Sequence, residues 1–276
     1  MKALFPFSTF QINAADAVVP ARLFVQRIAL YAAGISENAY KINYEKGKRT
    51  MKKEITINGR VYPMKKSKFC INESPVHVSD SMSGKMAGIP SISTSCLLNT
   101  ICQKRMQDGS SICAHCFAET TLNRYKEAGQ AMERNYYLLT EAVLPLEFLP
   151  VFANVAIVRI ESFGDVQNVT QAINYANICK VNPSVMFAWW TKNAAIVKKA
   201  FDMVGKPENV IMIESSEKLN CKKELSNGYM DKVFTVYDAK TIAEKAIDIN
   251  CGARCCATCR NCYKKDSAAI VSEKLK

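Results

Sequence analysis

The chain has 276 residues, of which 49 % are hydrophobic, and carries a formal net charge of +12. That composition excludes a disordered chain and is enough for one large α/β domain with a sizeable core. No run approaches the ~20 apolar residues of a membrane span, and Gln11, Asn13 and Asp16 interrupt the N-terminal apolar stretch before a signal-peptide core can form.

The expected setting is therefore the cytoplasm, with no membrane partner and with thiols kept reduced. Residues 1–50 read as a loose amphipathic helix broken by Pro20 and followed by a basic linker. At Met51 the text changes to "MKKEITINGRVYPM", which looks like a fresh start. The expectation is an N-terminal extension over 1–50, not necessarily native, a single α/β metal-binding domain over 51–266 and a tail over 267–276. Residues 41–68 hold ten Lys or Arg against Glu45 and Glu54, a net +8. Such a surface suits phosphate, hence a nucleic acid or nucleotide partner; a merely solvated segment is the alternative.

Asn58-Gly59 between two alternating runs predicts a hairpin with a type I′ turn. Residues 70–112 lack helical periodicity and read as a long functional loop. Residues 118–139 predict a helix, and "TEAVLPLEFLP" a second, proline-broken one. From residue 154 the pattern becomes regular: strands in "NVAIVRIES", "SVMFAWWT", "NVIMIESSE" and "KVFTVYD", and helices in "DVQNVTQAINYANICK", "AAIVKKAFDMV" and "AKTIAEKAID". Strands alternating with helices imply parallel βαβ units. The expected fold is α/β, a partial or complete (β/α) barrel-like parallel sheet or its open counterpart, with a cysteine-rich metal-binding loop and C-terminal tail. Ligands in such folds sit at the carboxyl ends of strands. Polar residues gather there: Glu161, Ser162 and Asp165; Thr191 and Lys192; Glu214, Ser215 and Ser216; Tyr237 and Asp238.

Two cysteine groups stand out. One is Cys96, Cys102, Cys113 and Cys116; the other is Cys251, Cys255, Cys256, Cys259 and Cys262. Cys-x-x-Cys aims two sulfurs at one centre, and a metal holds them deprotonated. The run Cys256-x2-Cys259-x2-Cys262 matches iron–sulfur ligation; a four-cysteine zinc site stays open. Neighbours in an extended chain point to opposite sides, so only one of Cys255 and Cys256 shares the metal; Cys256 is preferred because its spacing continues the run, with Cys251 as fourth ligand. Cys70, Cys179 and Cys221 read as ordinary thiols, with Cys179 in the core. His115 could ligate but more simply faces solvent, and His77 carries no assigned role. There is no Walker loop, no His-Glu-x-x-His and no Gly-x-Gly-x-x-Gly.

Five segments, in order, carry a resemblance: "SGKMAGIPSISTSC" at 83–96, "CAHCFA" at 113–118, "RIESFGD" at 159–165, "FAWWTKN" at 187–193 and "CCATCRNCY" at 255–263. Together they resemble the gene product 88 family of phages and related mobile elements. The chain departs from that pattern where Phe163 separates Ser162 from Gly164, where Tyr263 replaces a tail tryptophan, and in the offset of Cys102. The resemblance implies a metal held by cysteines and leaves the activity open. If phage-encoded, the protein would work in the host cytoplasm. The chain is also distantly similar to radical S-adenosylmethionine proteins, although their Cys-x3-Cys-x2-Cys loop is absent.

Two functions are weighed. In the first, the chain is an iron–sulfur enzyme acting on a nucleotide or nucleic-acid-related substrate: the first thiol group holds a 4Fe-4S cluster, the second holds another cluster or shares ligands with it, an electron donor is a partner, and S-adenosylmethionine is an optional cofactor. Glu161, Asp165 and Lys192 are then the candidate catalytic residues, and Ser162, Gly164, Trp190 and Ser215 the candidates for holding cofactor. Of Trp189 and Trp190, only one can face the pocket. In the second, zinc is structural and the chain binds nucleic acid without catalysis. The acidic residues at the strand ends favour the first.

Overall fold

The computed structural model describes residues 40–46, 51–80, 84–252 and 255–275. They fall in one unit, 37–276; the predicted helix broken by Pro20 lies outside the described residues. β1 (Tyr40–Lys46) pairs antiparallel with β2 (Met51–Ile57), which pairs with β3 (Arg60–Pro63). Asn58 and Gly59 supply φ angles of 47° and 78° for the two-residue turn, as predicted. The boundary drawn at residue 51 therefore falls inside this three-stranded sheet. β4 (Lys65–Lys66) and β5 (Glu73–Ser74) form a short antiparallel pair.

The region 70–112 holds more than loop. After β6 (Ser91–Ile92), Asn99 Oδ1 accepts from the amides of Ile101 and Cys102, both at 3.0 Å, and starts α1 (Thr100–Gln107). This helix buries only Cys102, so it leaves no apolar periodicity to read. The predicted helix over 118–139 is two: α2 (Phe117–Arg124) and α3 (Lys126–Glu141), broken at Tyr125. Gly129 permits the close junction, since a Cβ there would lie 3.1 Å from Leu122 O. The predicted proline-broken helix is not formed. Instead Asn174 donates to Leu139 O and Ala142 O and accepts from the Leu144 amide, holding that segment as a loop that ends in a single 3-10 turn, Leu146–Phe148.

The remaining elements follow in the predicted alternation: β7 (Ile157–Ile160), α4 (Val169–Val181), β8 (Met186–Thr191), α5 (Ala194–Val204), β9 (Val210–Ser215), β10 (Lys232–Tyr237) and α6 (Ala239–Lys245). Asn168 and Asp238 cap α4 and α6 by accepting from Gln171 N and Thr241 N. Gly205, at φ 77°, ends α5. After the one-turn α7 (Cys256–Cys259), residues read as a tail form β11 (Ile270–Lys274), parallel to β10 with Val271 fully buried. The stretch is too short and too charged at its end to announce an edge strand.

The six strands are parallel and ordered β11-β10-β9-β8-β7-β6, their order in the chain. Among the described residues the sheet is open, with β6 and β11 at its edges, and closure into a barrel is not shown. Every residue of β9 is buried, as a strand covered on both faces requires. One face carries Trp189, which packs edge-on against Tyr175 of α4 and Phe201 of α5; truncating a core aromatic like this costs about 3–5 kcal/mol. The other face presents Ala188, Trp190, Ile211 and Ile213, and the cysteine-rich segment lies over it through Cys256, Cys262 and Tyr263.

Candidate functional site

A cavity of about 960 Å³ opens on this second face, at the carboxyl ends of the strands. Its wall includes Glu161, Ser162, Gly164 and Asp165 after β7, Trp190 and Lys192 at β8, and Ser215 at β9. It also includes Cys113 and Cys116 from one thiol group and Cys251, Cys256, Cys259 and Cys262 from the other. Cys96 and Cys102 sit just behind, packed with Cys116, Ala118 and Leu122. Segments separated by some 150 residues of sequence thus share one hollow.

Glu161 anchors the floor with a left-handed backbone, φ 60°, a strained state for a non-glycine residue. Its Oε1 accepts from Tyr175 Oη at 2.5 Å, Thr94 Oγ1 at 2.7 Å and Gln171 Nε2 at 2.8 Å, and its Oε2 from Thr94 N at 3.1 Å. Burial outweighs these donors and lifts the carboxyl to about 7. Gly164 rests against this network. A Cβ there would meet Thr94 O at 2.6 Å and Glu161 Oε2 at 2.9 Å, so its small size serves packing.

Asp165 is engaged from every side. Oδ1 accepts from Val166 N at 2.7 Å and Thr191 Oγ1 at 2.6 Å; Oδ2 accepts from Lys192 N at 2.9 Å and faces Arg105 Nη1 at 3.7 Å. Asp165 therefore ties the ends of β7 and β8 to α1 from the wall of the cavity. The Lys192 side chain is half-buried and exerts its charge on Cys102 and Cys116. Trp190 faces the cavity and Trp189 the core, which settles the choice left open by the sequence. Asp238 serves as a helix cap and Glu214 is spent on Lys223 Nζ and Ser226 N, at 3.0 and 2.8 Å.

In the first thiol group Cys96 and Cys116 interact directly, which raises the Cys96 thiol, and Cys116 lies at the start of α2 beside the Ala118 and Glu119 amides. The Cys96 thiol beside it holds the Cys116 thiol below its usual range against the cost of burial. Burial pushes Cys102 up, with Asp165 and Cys113 adding to it. In the second group, Cys251, Cys256, Cys259 and Cys262 all act on one another electrostatically, and burial raises Cys262 to about 12. Cys255 turns away, its sulfur 3.8 Å from Ala87 O. Cys256 N donates to Lys85 O at 2.7 Å and Cys251 N to Ser272 O at 2.9 Å, pinning the segment to the loop after β5 and to β11.

All twelve cysteines are free thiols. Among the described residues no three His, Cys, Asp or Glu side chains stand as a finished metal cage. The eight thiols named from the sequence fall in two neighbourhoods, Cys96, Cys102, Cys113 and Cys116 in one and Cys251, Cys256, Cys259 and Cys262 in the other. Their donor chemistry, four soft sulfurs apiece, fits iron–sulfur clusters or zinc. Cys179 is in the core, as expected, and Cys221 is exposed.

Several cavity residues escaped the sequence reading. Arg159 lies over Trp190, 4.0 Å from the ring; a lone arginine inside the apolar strand "VAIVRI" was its signal. Lys85 Nζ binds Glu273 Oε1 at 2.5 Å and reaches Cys251 Sγ at 3.4 Å. Burial works against the Lys85 charge, but Glu273 and Cys251 outweigh it and hold the ammonium above its usual value. Phe117 and Phe163 pair at 6.1 Å beside the first thiols. Among the described residues, Ser79 Oγ, Arg159 Nε, Ser162 Oγ and Tyr263 Oη, all from residues of the cavity wall, are buried without a partner, which is unusual for native polar atoms.

Among curated proteins and among solved structures, no match is found. A family profile described as Gene product 88 matches residues 56–274, from β2 to the end of β11. The chain belongs to the Gene product 88 family.

Proposed function

We propose that the protein binds two iron–sulfur clusters, one at Cys96, Cys102, Cys113 and Cys116 and one at Cys251, Cys256, Cys259 and Cys262, and uses them on a small molecule held in the cavity between them. The observation that carries this is the opening of both four-thiol neighbourhoods into one hollow that also contains a buried acid. Structural zinc sites are closed and need no cavity; a zinc protein that binds nucleic acid leaves Glu161 and the unpartnered wall atoms without a role.

Clusters bound there would supply single electrons. The chain's own residues do the rest. Lys192 sets a positive charge beside the first thiols and favours their ionised form. Lys85 does the same for Cys251. Glu161 holds a proton near neutrality at the cavity floor. Trp190 and the Phe117–Phe163 pair give flat apolar walls suited to a planar ring, in keeping with a nucleotide-related substrate. A radical reaction with S-adenosylmethionine is the finer form of this proposal.

The test is the visible spectrum of protein isolated without oxygen. A brown solution with broad absorption near 400 nm that bleaches on reduction is expected of iron–sulfur clusters. A colourless protein overturns the proposal. Release of 5′-deoxyadenosine from S-adenosylmethionine by the reduced protein separates the radical reaction from plain electron transfer.

A further inference from the structure

Arg159 projects from β7 onto the cavity face of the sheet, where its guanidinium lies 4.0 Å over Trp190. Among the described residues its Nη1 meets the Met86 sulfur, at 3.7 Å, and its buried Nε has no partner. Among the described residues no carboxylate pairs with it. Arg159 is half-buried, and its charge acts on Cys256, Cys262 and Tyr263; the planar fork of arginine is built to grip a carboxylate or phosphate edge. The neighbouring Tyr263 is 6 % exposed, yet its hydroxyl also lacks a partner. Its ring lies 6.2 Å from Trp190, and the Arg159 charge reaches its phenol. Two unspent donors thus flank one aromatic platform on the wall of the cavity.

We propose that Arg159 and Tyr263 form an oxyanion subsite, with Trp190 as its platform, so that the molecule bound in the cavity carries a carboxylate or a phosphate monoester. This deepens the substrate assignment above and rests on the cavity being the site. It does not depend on which metal the thiols hold. Arg159 contributes the charge and two parallel N–H donors, and Tyr263 Oη donates a third hydrogen bond. Trp190 keeps the guanidinium planar against the sheet and keeps water from its lower face.

The test is calorimetric titration of the full chain, purified without oxygen, with three probes that share a ring: phenyl phosphate, benzoate and the neutral benzyl alcohol. At least one anion is expected to bind, at least about tenfold more tightly than the alcohol. The tighter of the two anions identifies the acid group. Arg159→Gln is expected to weaken that anion by about tenfold or more and Tyr263→Phe by about three- to tenfold, with far-UV circular dichroism and iron content unchanged. Failure of both anions to bind the parent protein, or equal binding by Arg159→Gln, would overturn the subsite. Iron content is read on the same samples, so loss of the cluster assignment and loss of the subsite are told apart.

Discussion

Tyr175 Oη donates to Glu161 Oε1 at 2.5 Å, and both side chains are buried between β7 and α4. The bond joins the helix-covered side of the sheet to the floor of the cavity. Thr94 and Gln171 complete the ring of donors, so any change in the charge of Glu161 is felt by the core.

Stability is expected to fall as pH rises across this group. Burial raises the folded carboxyl from 4.5 to about 7, so the folded chain keeps a proton that the unfolded chain gives up. The contribution is complete below pH 4.5 and is lost as pH rises through the folded value, a change of roughly 3 kcal/mol. Urea unfolding between pH 4.5 and 8 measures it. Glu161→Gln should flatten the slope and also lower stability by about 1–3 kcal/mol, because its amide would face the Thr94 N–H. A variant with the parent's slope contradicts this assignment.

Gly164→Ala should destabilise the protein by about 1–3 kcal/mol. Its Cβ would lie 2.6 Å from the Thr94 carbonyl oxygen, a backbone atom with no room to retreat. Thermal unfolding checks it, and a melting temperature equal to the parent's would show that the strand end can shift.

Lys232 is almost wholly buried, and its ammonium donates to Ser267 O, Ser267 Oγ and Ala268 O. These bonds fasten the turn between Cys262 and β11. Lys232→Met keeps the stem and removes the donors, leaving buried acceptors unpaired at a cost of about 1–3 kcal/mol. Limited proteolysis should then cut within 261–268 first; uncut, parent-like behaviour would mean that β11 alone holds the turn.

Cysteine variants separate ligands from bystanders. Cys255→Ala should leave metal content unchanged, since that sulfur points to Ala87. Cys256→Ala and Cys262→Ala should each lose the second metal centre and keep the first. Equal loss from Cys255→Ala would redraw the ligand set.

The regular half of the molecule was legible because β7 to α6 repeat a strand-then-helix pattern with clear caps, as at Asn168, Gly205 and Asp238. The alternation of neighbouring side chains separates Cys255 from Cys256, and here Cys256 lines the cavity while the Cys255 sulfur lies 3.8 Å from Ala87 O. Other features left no local trace. α1 buries one residue, so it has no apolar stripe. β11 exists because β10 offers it an edge, and the loop after α3 is held by Asn174, a buried polar residue thirty positions away from Leu144. Glu161 was singled out for its place after a strand, but the donors that set its proton affinity come from Thr94, Gln171 and Tyr175, which no motif connects. Asp165 was singled out on the same grounds, and the groups that hold it, Thr191 Oγ1 and the Lys192 amide, come from the next strand end.

The most direct test of the two-cluster proposal is a count of iron and acid-labile sulfide per chain in protein isolated without oxygen. Two four-iron clusters require about eight of each. One or two zinc ions per chain, with neither iron nor sulfide, would contradict it.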